Sequence, residues 1–185
     1  MLVCVSVIQL TATKGDVGLA TVALNHAVAF HQSGSRQQTS FSAEEGVQHP
    51  VNVPPDVIKF LRQDARNLTC LRMGQSKEDI QVSWFVASEI DLKFDRSPDL
   101  IILAANPCLN GANVVPFWVF RHTASGYALA LSTTAFALDV LTTRSKTHRN
   151  LQLTSLTAKT EHKVIYKFDG LRYKERRRFQ KPIGQ

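Results

Sequence analysis

Only three cysteines occur in the 185-residue chain, too few for a disulfide scaffold. Nine glycines and seven prolines exclude a collagen-like or proline-rich polymer. No apolar run approaches the roughly 18 residues that a membrane-spanning helix needs. Several chemical signatures are missing as well. There is no Gly-x-Ser-x-Gly elbow to present a nucleophile, no glycine loop to cradle phosphate, and no Cys-x-x-Cys or His-x-x-x-His spacing for zinc. Acidic residues are scarce in one region. Residues 1–143 hold 10 Lys and Arg against 12 Asp and Glu, whereas residues 144–185 hold 12 against 3, so the last quarter carries the whole excess of the +7 net charge. What remains is 44% hydrophobic and 20% charged, enough to bury the core of one domain.

Residues 17–30 are weakly apolar, follow Lys14 and contain Ala27-Val28-Ala29, a small-x-small pattern that resembles the end of a secretory signal. Asp16, Asn25 and His26 interrupt that pattern, and residues 2–10 form a competing apolar stretch. Residues 31–50 are polar, with only Phe41 and Val47 as large apolar anchors, which is linker composition. The reading is therefore a signal-like segment and disordered linker over residues 1–50, followed by one β-rich domain over residues 51–185.

In that domain Pro54-Pro55-Asp56 opens a helix with Val57, Phe60, Leu61, Ala65 and Leu68 on one face, ending near Gly74. Asn67-Leu68-Thr69 is a glycosylation sequon by spelling, and its place on a helix marks it as a chance occurrence. The period then changes to two. Residues 80–86, 100–104, 115–122, 127–132, 136–141, 151–156 and 162–168 read as strands, with Asp169-Gly170 as a two-residue hairpin turn that sets Tyr166 opposite Tyr173 and Lys167 opposite Arg172. The expected fold is α+β: one N-terminal helix packed on a mostly antiparallel sheet of seven or eight strands.

Residues 91–99 resemble the D-x-D-x-D-G-x-x-D loop of EF-hand-like and FG-GAP-type calcium sites. Asp91, Asp95 and Asp99 match its first, fifth and ninth positions. Lys93 stands where the third ligand should be and Arg96 replaces the glycine, so the loop reads as a relic, a structural turn whose cations neutralise the carboxylates. Neither metal nor cofactor is expected. The order of this loop, then Cys108-Leu109-Asn110-Gly111-Ala112-Asn113, then Pro116-Phe117-Trp118-Val119-Phe120-Arg121, Gly126-Tyr127, and a terminal Tyr166-Lys167-Phe168-Asp169-Gly170-Leu171-Arg172-Tyr173 is similar to a group of small exported bacterial proteins of unassigned activity. That resemblance spans about half the chain, and it implies a fold and an oxidising compartment more than a reaction.

Cys70 and Cys108 pair if the chain is exported, and Cys4 leaves with a cleaved signal; free buried thiols are the alternative. Arg172, Lys174, Arg176, Arg177, Arg178 and Lys181, interleaved with Tyr173 and Phe179, are candidate contacts for a polyanion through charge and stacking. The leading functional expectation is an exported, periplasmic or extracellular, non-enzymatic module. Its partner would be another macromolecule, a protein or an anionic envelope polymer. A cytoplasmic nucleic-acid-binding protein using the basic end is the first alternative. A hydrolase is the second, with Asp91, Asp95, His122 and Asp139 as its candidate groups.

Overall fold

A computed structural model describes residues 37–184. The signal-like segment, Cys4, His26 and His31 lie outside the described residues. Among the described residues nine strands form two antiparallel sheets: β1 (Ser40–Ser42), β2 (Phe85–Ile90), β3 (Asp99–Ala104), β4 (Val115–Thr123), β5 (Gly126–Ala135), β6 (Ala137–Ser145), β7 (His148–Leu156), β8 (Thr160–Phe168) and β9 (Tyr173–Pro182). One sheet has the order β2-β3-β4-β5 and the other β1-β6-β7-β8-β9. The chain changes sheets at Phe136, whose N–H donates to the Thr154 carbonyl at 2.8 Å. Among the described residues no helix is long and apolar enough to cross a membrane.

The expected α+β architecture is therefore corrected to a mostly β fold, and the expected long helix is two short ones, α1 (Pro55–Leu61) and α2 (Ala65–Leu68). Asp64 explains the break. Its backbone is extended, with ψ 126, and its carboxylate accepts the Arg66 N–H, so it ends one helix by capping the next. The sequon asparagine is enclosed at this break, where buried Asn67 donates Nδ2 to the Leu61 carbonyl at 2.7 Å. Residues 80–86 also differ from expectation. A 3-10 turn spans Val82–Trp84, and the strand begins only at Phe85.

Register shows which faces meet. Ile101, Val119 and Leu131 align across β3, β4 and β5, as do Leu103 and Phe117 across β3 and β4. In the other sheet Phe41, Leu138, Leu153 and Val164 align across β1, β6, β7 and β8. Apart from half-buried Val164, these rows belong to one hydrophobic cluster. The opposite face of the four-stranded sheet is covered by the helical segment. Phe60 meets Phe120 edge to face at 5.4 Å, and Trp118 donates Nε1 to Asp64 at 2.7 Å beneath the Arg66 guanidinium, 4.5 Å from its ring. With neighbours on both faces, β3 buries all six of its residues, which accounts for its continuous apolar run.

The domain boundary expected at residue 51 is corrected too. Phe41 is completely buried, pairs with Leu138 and belongs to the core. Gln38 donates Nε2 to the Ser40 and Gly46 carbonyls and accepts from the Gln48 N–H, closing the loop that follows β1. Polar composition over residues 37–50 thus reflects side chains that satisfy backbone rather than a free linker.

Candidate functional site

The chemistry-bearing loop at residues 91–99 spends its carboxylates on backbone N–H groups of the loop and of β4. Asp91 accepts from the N–H groups of Phe94 (2.5 Å) and Arg96 (3.1 Å), both at φ 64. Asp95 accepts from the Ser97 N–H at 2.9 Å, a bond that holds its carboxyl below the ordinary range. Asp99 is fully buried and clasps the Leu92 and His122 N–H groups at 3.1 and 2.7 Å; burial outweighs those bonds and raises its pKa. Lys93 pairs with Asp95 at 3.6 Å and donates to the His122 carbonyl at 3.2 Å. Among the described residues no three His, Cys, Asp or Glu side chains gather as a metal site. Of the four hydrolase candidates, Asp91, Asp95 and His122 share this end of the β2–β5 sheet. Asp139 lies on β6, opposite Ser40 and bonded to Gln152 at 3.3 Å.

The basic end is the larger departure from expectation. Residues 173–182 form the longest exposed strand, β9, at the edge of the five-stranded sheet. Asp169 makes the preceding turn. Its carboxylate accepts from the Arg172 and Leu171 N–H groups at 2.9 and 2.8 Å and pairs with Lys174 at 2.9 Å, which together hold it well below the usual carboxylate range. This four-residue loop sets the register two residues away from the expected one: Tyr166 faces Glu175, Lys167 faces Lys174 and Phe168 faces Tyr173.

Register then sorts the candidates. Lys163, Ile165 and Lys167 of β8 share the outward face with Lys174, Arg177, Phe179 and Lys181 of β9. Same-face neighbours along a strand lie about 6.8 Å apart, so cations and apolar side chains line the ribbon as one stripe, with Glu161 beside Lys163 at 3.2 Å as its carboxylate. Phe179 is 45% exposed, and the Arg177 guanidinium sits 5.0 Å from its ring centre. Arg178 is on the opposite face, bound to Glu175 through two bonds of 3.1 and 3.0 Å. Arg176 is the extra residue of a bulge, and Arg172 belongs to the turn.

Tyr173 is not a stacking platform. It is 4% exposed, and its hydroxyl donates to the Arg149 carbonyl at 2.8 Å. Lys163, Ile165 and Lys167 escaped the sequence reading of the site. Their signal was the alternation within residues 162–168, which gives them one face as soon as β9 is recognised as the partner strand.

Cys70 and Cys108 are joined by a disulfide, 5.9 Å between Cα atoms, tying the end of the helical segment to the loop before β4. Neither a scan against protein-family models nor searches of the curated proteins and the solved structures returns a match.

Proposed function

We propose that this chain is an exported, non-enzymatic interaction module that engages an anionic macromolecule through the β8–β9 ribbon. One observation carries the reading: the basic C-terminal residues are held as a registered strand, with Lys163, Lys167, Lys174, Arg177 and Lys181 on one outward face around Ile165 and Phe179. Between residues 160 and 182 there are eight Lys and Arg against three Asp and Glu. A fixed row of cations beside apolar contacts attracts an acidic partner by charge and holds it by burial. Export is supported by the Cys70–Cys108 disulfide, since such bonds persist in oxidising compartments. The absence of a reaction is supported by the use of Asp91, Asp95 and Asp99 as backbone acceptors, leaving them committed to the turn.

Titration of the full chain with a sulfated polysaccharide and with duplex DNA at two salt concentrations tests this. Binding should weaken steeply with salt, and replacing Lys167, Arg177 and Lys181 by Ser should lower the salt slope on DNA by about one per cation removed. Equal affinity of the triple variant would overturn the reading. A salt-resistant preference for nucleic acid, lost in Phe179→Ala, would promote the nucleic-acid alternative instead.

A further inference from the structure

Among the described residues the two sheets have four edges, of which one is short and two have backbone groups engaged by neighbouring segments. β1 is three residues long, with Gln38 bonded to its Ser40 carbonyl. Beside β2, Val51 forms a bridge to Ala87, its N–H donating to the Ala87 carbonyl at 2.9 Å. At β5, Arg66 donates to the Thr133 carbonyl at 2.9 Å. β9 runs for ten residues with no described residue beyond it.

Two bonds at its ends set which of its backbone groups point away from β8. Asp169 N–H donates to the Arg172 carbonyl, and Ile183 N–H to the Lys159 carbonyl. Alternation from these bonded pairs turns Lys174, Arg177, Phe179 and Lys181 towards β8, and leaves the N–H and C=O groups of Glu175, Arg178 and Gln180 aimed outward. Pro182 occupies the next outward position and offers no donor, so the open stretch ends at Gln180.

We propose that β9 accepts an extended acidic protein segment as a sixth strand of the sheet. This inference rests on the reading of the ribbon as an anion-binding surface and specifies how the partner is held. The charge arrangement favours a strand over a phosphate or sulfate polymer. Cations flank the edge on both faces, with Arg177 and Lys181 on one, Arg178 on the other and Arg176 in the bulge between them. The carboxylates of Glu161, Asp169 and Glu175 are interspersed, pairing with Lys163, Lys174 and Arg178. A polymer lying on one face would meet only part of this set. An added strand meets all of it, because its alternate side chains project to both faces while its backbone bonds to the open edge. A second copy of the chain is a poor occupant. Antiparallel pairing of two β9 strands would bring Arg176, Arg177 and Arg178 of each against those of the other.

Amide hydrogen exchange on the full chain tests this, using as probe a capped ten-residue peptide with the repeat Glu-Glu-Val-Val, which as a strand carries carboxylates on both faces. Exchange at Glu175, Arg178 and Gln180 should slow about tenfold or more at saturating peptide. A peptide of the same length and charge with proline in place of each valine should give no protection. Arg178→Pro should abolish peptide binding while keeping the affinity for the sulfated polysaccharide shown by Arg178→Ser. Equal peptide affinity of these two variants would overturn the inference, as would peptide binding without protection of those three amides; both leave the anion-binding function standing. Protection that rises with protein concentration and no peptide would identify a second copy and overturn it too. Failure of every anionic probe to bind would reject both readings.

Discussion

His148 shows how one buried residue couples this fold to pH. It is stacked on Phe168 at 3.7 Å between ring centres, with Nδ1 and the Thr147 hydroxyl 2.8 Å apart and no partner for Nε2 among the described residues. Burial, then the charges of Lys93 and Arg121, lower its pKa from 6.5 to about 4, with Asp95 opposing them. The folded protein therefore holds the ring neutral where an unfolded chain would take up a proton. Stability should be constant with respect to this group above pH 6.5 and fall between pH 6.5 and 4, by about 3 kcal/mol once both states are protonated. Urea denaturation across that range checks it, and His148→Gln should flatten this part of the profile. An unchanged slope in the variant would assign the acid sensitivity to other groups. Gly126 constrains the fold through its backbone instead. At φ 110, with the Asp56 carboxylate 2.9 Å from where a Cβ would stand, Gly126→Ala should destabilise by more than about 1 kcal/mol.

At the scale of elements, the two ends of the described chain carry more of the fold than their composition suggests. Phe41 lies at the centre of three-residue β1, and removing a fully buried phenylalanine costs about 3–5 kcal/mol. A chain beginning at residue 51 should therefore melt well below one beginning at residue 37. Truncation after Lys174 should likewise cost about 2 kcal/mol or more, because it removes most of β9's cross-strand pairs with β8. Thermal melts of the two truncations decide both points, and unchanged midpoints would return these segments to the status of tails.

The same elements show what the sequence made legible. β3 was readable from the continuous apolar run Leu100–Ala104, and β4 from the run of buried residues that includes Phe117, Trp118 and Val119. β9 beyond Tyr173 was not, because an edge strand exposed along its length carries no apolar alternation, and Arg176, Arg177 and Arg178 were legible only as candidate polyanion contacts. β1 is too short to show a period. The helix break at Asp64 depends on a side chain bonding locally to backbone, which spacing of apolar residues does not register.

For the molecule as a whole, the fastening of its parts and the asymmetry of its charge bear on function together. The Cys70–Cys108 bridge closes a separation of 38 residues, and reducing it should lower stability by about 4 kcal/mol through the freedom regained by the unfolded chain. Denaturation midpoints with and without reductant measure this, and an intact mass of the native protein reports the bridge directly. The cations of the ribbon lie at the open edge of a sheet whose inner face is fixed by Phe41, Leu138, Leu153 and Phe168. That placement makes the ribbon a surface of set geometry, in which the spacing of charge is decided by strand pairing.

Anionic macromolecules are proposed to meet this protein at the β8–β9 ribbon. Backbone amide shifts of the full chain, followed by NMR through a titration with a sulfated oligosaccharide and with the acidic strand peptide, test it most directly. Perturbations should concentrate in residues 160–182, led by Lys163, Lys167, Arg177, Phe179 and Lys181. Perturbations centred instead on residues 91–99 and His122, or spread evenly over the surface, would contradict it.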